Sequence, residues 1–259
     1  MNFWLFAVNL FLIFFLIQAC KKLKKFRFKD RHLTGPHQIP TVPVYDLDTA
    51  FDSDEFGPTL KTEVNFIGRA GLSVVGAISD SEGWVLAVLA KKAKQIFEFG
   101  TCTGRTTYLL ARNSPPDAKV TTLTLSPETK KNYQTGAKDD PEDTKNALQE
   151  SNFRQFFYSN TSVAGKVQQL FGDSKEFNEK PFAGQCDLVF VDGSHAYSYI
   201  KSDSVKAIAM AKPGGLVIWH DYIGPYWVKG VYQALNELAK DYPLVHIHGT
   251  TLAAYRKPL

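Results

Sequence analysis

Cysteine is scarce in this chain. Cys20, Cys102 and Cys186 are all there is, odd in number and far apart. That excludes a disulfide framework, offers no metal-type cysteine spacing and fits a reducing compartment. Positive charge is scarce too once one block is set aside. The net charge is +4, but Lys21, Lys22, Lys24, Lys25, Arg27, Lys29 and Arg31 face only Asp30 over residues 21–31. Six net positive charges sit there, and the remainder carries −2. A body with that balance presents no basic face to nucleic acid. Also missing is the G-x-G-x-x-G spacing of a dinucleotide loop, which counts against a nicotinamide-dependent oxidoreductase. Finally, no charged side chain precedes the apolar N-terminal run, as one would in a secretory signal.

That run, residues 3–19, is broken only by Asn9 and Gln18. At ~1.5 Å per residue it spans roughly 25 Å, short but adequate for a transmembrane helix that borrows its flanks. The basic block follows it, so the positive-inside tendency predicts a single-pass anchor with the folded domain on the cytoplasmic side. The same lysines attract anionic lipid heads. Residues 1–20 therefore read as a membrane anchor and 21–65 as a basic juxtamembrane segment and linker. Pro36, Pro40, Pro43 and Pro58 punctuate the linker. Residues 66–259 form one α/β domain.

Within the domain, residues 79–94 have helical periodicity, with Ser79 or Ser81 as cap and Glu82 in the first turn. Residues 95–107 read as strand, glycine turn, helix. That sequence opens the ligand-binding loop of a doubly wound sheet. Gly100 can take backbone angles closed to other residues, and Gly104 lets the loop pass close to a ligand. Further strands are predicted at 119–125, 167–171, 186–191 and 216–219. A helix runs from Tyr197 to Ala211, closed by Lys212-Pro213-Gly214-Gly215, and another carries Val228, Val231, Tyr232, Leu235 and Leu238. Residues 244–248 and 252–256 form a terminal hairpin. Residues 126–165 are long and irregular, and read as a partly helical lid or substrate-side insertion.

Chemistry-bearing residues gather at strand ends. Asp192 and His195 follow the strand at 186–191, and His220 and Asp221 follow the next. Either histidine can serve as the base for a hydroxyl acceptor. Asp192 and Asp221 can hold Mg²⁺ or another divalent cation, which would lower an acceptor's pKa. Tyr222, Tyr226 and Trp227 can floor an acceptor pocket or belong to the core.

Five stretches in order, Glu98-Phe99-Gly100-Thr101-Cys102-Thr103-Gly104-Arg105-Thr106-Thr107, Gly172-Asp173-Ser174, Asp187 to His195, Lys212-Pro213-Gly214-Gly215 and His220-Asp221-Tyr222, resemble class I S-adenosylmethionine-dependent methyltransferases. The resemblance is to the bacterial "methyltransferase 24" type. It implies a Rossmann-like, mostly parallel seven-stranded sheet with an antiparallel C-terminal hairpin, and S-adenosylmethionine as methyl donor. It places Glu98, Gly100, Thr101 and Gly104 at the methionine end, Asp173 and Ser174 beside the adenine, and Asp192 at the transfer centre. In the family an acid at the end of the second strand grips the ribose; here Thr124 holds that place, with Glu128 near enough to reach back. The implied reaction is O-methylation of a hydroxyl on a small molecule, sugar, glycan or lipid-linked acceptor. A non-catalytic, membrane-tethered module that kept the fold is the competing reading.

Overall fold

The computed structural model describes residues 11–21, 38–54, 57–63, 75–76 and 78–259. Most of the basic block and the first ten residues lie outside this set. Residues 11–21 are helical, and Phe11 to Ile17 are each 49–69% exposed. Among the described residues no helix is long and apolar enough to cross a membrane.

The domain is built on one sheet. Its strands are β1 (Thr41–Val42), β2 (Gln95–Phe99), β3 (Lys119–Thr124), β4 (Val167–Phe171), β5 (Cys186–Val191), β6 (Ala211–Trp219), β7 (Val245–Ile247) and β8 (Ala253–Arg256). The spatial order is β1-β7-β8-β6-β5-β2-β3-β4. All neighbouring pairs are parallel except those made by β8, which runs antiparallel to both β6 and β7. The sheet thus has eight strands rather than seven. The extra one is β1, two residues of the linker that pair with the β7 edge. The terminal hairpin is present, with Ala253 opposite His246.

Among the described residues the longer helices of the domain are α1 (Asp80–Ala90), α2 (Arg105–Asn113), α3 (Pro141–Glu150), α4 (Tyr197–Met210) and α5 (Lys229–Leu238). β2 and β5 are apolar on both faces because each face carries its own core. Ile96, Leu188 and Phe190 pack under α1 and α2, and Phe97, Val189 and Val191 pack under α4 and α5. Such runs are the signature of a doubly covered parallel sheet. Ser79 caps α1 in a capping box with Glu82. Lys212-Pro213-Gly214-Gly215 does not end before the strand, as the sequence suggested. It bulges within β6, so that Ala211 pairs with Cys186 and Leu216 with Leu188.

The irregular segment 126–165 divides in two. Phe156, Tyr158 and Val163 belong to the core, which removes the second half from any lid. The first half lies over the carboxyl ends of the strands. There Tyr133 stacks on Tyr199 with centroids 4.3 Å apart, and its hydroxyl lies 2.6 Å from Ser194 Oγ.

Candidate active site

The strand order reverses between β2 and β5, and ligands of open α/β sheets bind outside the carboxyl ends at such a switch point. A narrow cleft lies there. Its cavity volume is about 60 Å³. Gly100, Cys102, Thr124, Ser174, Asp192 and Ser194 line it from the sheet, and Tyr133, Glu150 and Ser151 from the insertion.

The opening loop is organised from beneath. Glu98 is fully buried, and its Oε2 accepts from Thr107 Oγ1 at 2.5 Å and from Thr122 Oγ1 at 2.7 Å. Thr122 in turn lies 2.7 Å from Thr101 Oγ1, which accepts from Gln169 Nε2 at 3.1 Å. Tyr158 donates to Gln169 Oε1 at 2.6 Å. Burial raises the Glu98 carboxyl to about 8, against the pull of its two hydroxyl donors. Glu98 and Thr101 therefore shape the loop without forming the cleft wall. Gly104 is also differently placed from its expected role. It caps α2 with φ +77, and a β-carbon there would lie 2.9 Å from Phe156 and Tyr158. Its smallness serves the insertion's aromatics, not a ligand.

Asp173 stands behind the wall, its Oδ2 accepting from Tyr199 Oη at 2.8 Å and its Oδ1 from Lys175 N at 2.9 Å. Ser174 and Thr124 reach the cleft. Glu128 does not: it is exposed and pairs with Arg154 at 2.7 Å. Asp187, inside the third motif, has a structural task at the opposite end of the strands, where its Oδ2 accepts from the backbone of Lys94 and Gln95.

Beside the cleft lies a row of alternating charges. His195 Nε2 is 2.8 Å from Asp221 Oδ2. His220 Nδ1 is 3.2 Å from the same Asp221 oxygen and 3.0 Å from Asp192 Oδ1. On its far side, His220 Nε2 is 3.5 Å from Glu82 Oε2, too poorly aligned for a hydrogen bond. Glu82 is held there by Ser79 and by Thr251, whose N and Oγ1 donate to Oε1 at 2.6 and 2.7 Å. Burial opposes charge on Glu82, Asp221 and both histidines, but their partners prevail. His220 is raised well above the usual imidazole range by Asp221 and Asp192, and His195 is raised to about 9, chiefly by Asp221. Asp221 is held well below the carboxylate range by both histidines. Each imidazole is thus a charged donor here rather than a ready base. Asp221 has φ +62, an unusual backbone for a non-glycine residue and one that clusters at functional sites.

Asp192, His220 and Asp221 bring one ligand atom each to within 4.8 Å of one another. Two carboxylates and an imidazole suit Mn²⁺, Fe²⁺ or Zn²⁺ better than Mg²⁺, which favours oxygen donors alone. Tyr222, by contrast, is core: it is fully buried, stacks on Tyr232 and donates to Asn236 Oδ1 at 2.9 Å. Tyr226 and Trp227 are exposed.

Three participants escaped the sequence. Glu82 read only as a first-turn acid, though it backs His220 from 138 positions away. Asp203 lay inside the helix expected from Tyr197 to Ala211, with no motif around it. Glu150 sat in an irregular segment with no motif around it.

Residues 97–222 match the family model described as a methyltransferase domain. The motifs, the switch-point cleft and the sheet order of this chain agree with that match, so residues 97–222 read as a methyltransferase domain of the class I, S-adenosylmethionine-dependent type. No protein of curated function matches the sequence. Among solved structures it is similar to the O-methyltransferase TomG of Streptomyces achromogenes, involved in tomaymycin synthesis, in complex with S-adenosylmethionine. That match has 21% identity, 70% of this chain and 82% of the other covered, and a TM-score of 0.49. An O-methyltransferase of Bacillus cereus in complex with S-adenosylhomocysteine matches at 21% identity, with 73% and 86% covered and a TM-score of 0.47. A Podospora anserina methyltransferase with the same bound product matches at 17%, with 70% and 79% covered and a TM-score of 0.48. At these scores the fold argument rests on the sheet of this chain, not on the likenesses.

Proposed function

We propose that the protein is an O-methyltransferase acting on a hydroxyl of a sugar, glycan or lipid-linked small molecule. The observation that carries the reading is the convergence of Asp192, His220 and Asp221 beside the cofactor cleft. S-adenosylmethionine supplies an already activated methyl group, so the protein's work is chiefly positioning and proton removal. Gly100, Thr124 and Ser174 would hold the donor, backed by Glu98, Thr101 and Asp173. The cleft is narrow, so donor entry requires Tyr133, Glu150 and Ser151 to move outward. Asp192 faces the acceptor side. A divalent cation held by Asp192, His220 and Asp221 would lower the pKa of an acceptor hydroxyl.

The two imidazoles divide the remaining work. His220 is 5% exposed, sealed between Glu82 and Asp192, and positions the carboxylates. His195, whose side chain is 26% exposed, is the one that can first give its own proton to solvent and then take the acceptor's. The exposed apolar side chains at 11–17 and the basic block after them support a membrane-tethered enzyme whose acceptor lies at the lipid surface.

A panel of hydroxylated acceptors with radiolabelled S-adenosylmethionine tests the reading. Label transfer to an oxygen, lost in Asp192→Ala, is the expected result. Absence of transfer to every acceptor, with donor binding intact, favours the non-catalytic module.

A further inference from the structure

Three carboxyl groups, Glu150, Asp192 and Asp203, line the cleft, with no lysine, arginine or histidine among the described lining residues. One of the three lacks a partner altogether, and a second has one oxygen unpaired. Asp203 is 1% exposed, and its Oδ1 has no hydrogen-bond partner. Glu150, at the last turn of α3, makes no hydrogen bond or ion pair among the described residues. It lines the cleft together with Cys102 of the opening loop. That thiol is raised to about 12, first by burial and next by Glu150, ahead of Asp192. Glu150 itself is raised to about 7, by burial and then by Asp192 and Asp221, with His195 opposing. A half-buried carboxyl with no partner, set among other acids, is costly to ionise, and a ligand that brings positive charge removes the cost.

We infer that Glu150 is a cofactor-binding residue contributed by the insertion, its carboxylate serving as counter-charge to the sulfonium of S-adenosylmethionine. The inference rests on the donor assigned above. In the transfer, the acceptor oxygen forms its bond to the methyl carbon, the carbon–sulfur electron pair stays on sulfur, and the acceptor's proton passes to neutral His195 or to water. The sulfur that was a cation becomes a neutral thioether. A cleft walled by acids alone therefore attracts the donor more than the spent product. Because Glu150 rides on α3, which also carries Ala147 to the cleft, methyl transfer removes one tie between ligand and insertion.

The test is calorimetric titration of S-adenosylmethionine and S-adenosylhomocysteine into the full chain, as wild type, Glu150→Gln and Glu150→Asp. Gln keeps the shape of Glu and removes only its charge, and matching thermal unfolding confirms folding. Glu150→Gln weakens the donor about tenfold or more and the product less than about threefold, while Glu150→Asp keeps part of the preference. Equal weakening of both ligands, or unchanged donor affinity, overturns the inference. If the wild type binds neither ligand, the donor assignment itself fails, a result distinct from a lost preference.

Discussion

The backbone of Gly100 lies directly against the carbonyl of Asp192. A β-carbon on Gly100 would sit 2.0 Å from that oxygen, and the Gly100 φ is +98. The cofactor loop and the transfer centre are thus one rigid unit joined through bare backbone. Gly100→Ala meets both a steric clash and a backbone angle that costs about 1–2 kcal/mol for other residues. The variant is expected to lose several degrees of melting temperature and all measurable donor binding. Wild-type stability in this variant would contradict the packing described.

Stability should fall as pH rises. Glu98 and Asp203 are raised by burial to about 8 and about 7 from ordinary values of 4.5 and 3.8. The unfolded chain releases both protons near pH 4, whereas the folded chain keeps them to pH 7–8. Over that window the folded state binds more protons, so the contribution of these two groups declines from about pH 4 to about pH 8, and His195, raised from 6.5 to about 9, continues the decline to about pH 9. Glu98→Gln removes one share of the decline. Urea midpoints at pH 5 and pH 8 are expected to show the variant gaining on wild type at the higher pH. A gap independent of pH would count against a neutral buried Glu98.

Lys206 ties down the loop that presents Ser174. Its Nζ donates to the carbonyls of Ser174, Lys175 and Phe177 at 2.5, 2.8 and 2.7 Å. Lys206→Met keeps the stem and strands three carbonyls, for an expected loss of about 1.5–3 kcal/mol. Chemical denaturation reads this directly, and a change under about 0.5 kcal/mol would show the ties to be dispensable.

The carboxylate–imidazole cluster predicts a cation preference. Mn²⁺ at about 100 times its dissociation constant adds ~2.7 kcal/mol of stability, several degrees in a thermal melt, and Asp221→Asn should abolish the shift. Mg²⁺ is expected to do less, because His220 supplies nitrogen. No shift with Mn²⁺, Fe²⁺ or Zn²⁺ would remove the metal from the scheme.

Much of this arrangement was legible before the structure. Each strand from β2 to β8 announces itself by a short apolar or β-branched run, and the glycine loop and the Asp192 and Asp221 strand ends follow from those runs. The departures have a common physical cause. Local pattern does not report which distant chain packs on a residue. Gly104 needs its smallness for Phe156 and Tyr158. His220 is backed at 3.5 Å by Glu82, on a helix 138 positions earlier. β1 pairs with β7 through two linker residues that carry no strand signal. Glu150 reaches the cleft only because Tyr133 docks on Tyr199 and seats the insertion.

Titration of S-adenosylmethionine into the full chain tests the central claim most directly. The account predicts saturable binding at one site per chain, competed by S-adenosylhomocysteine. Failure of both ligands to bind, with a nicotinamide dinucleotide binding in their place, would contradict it.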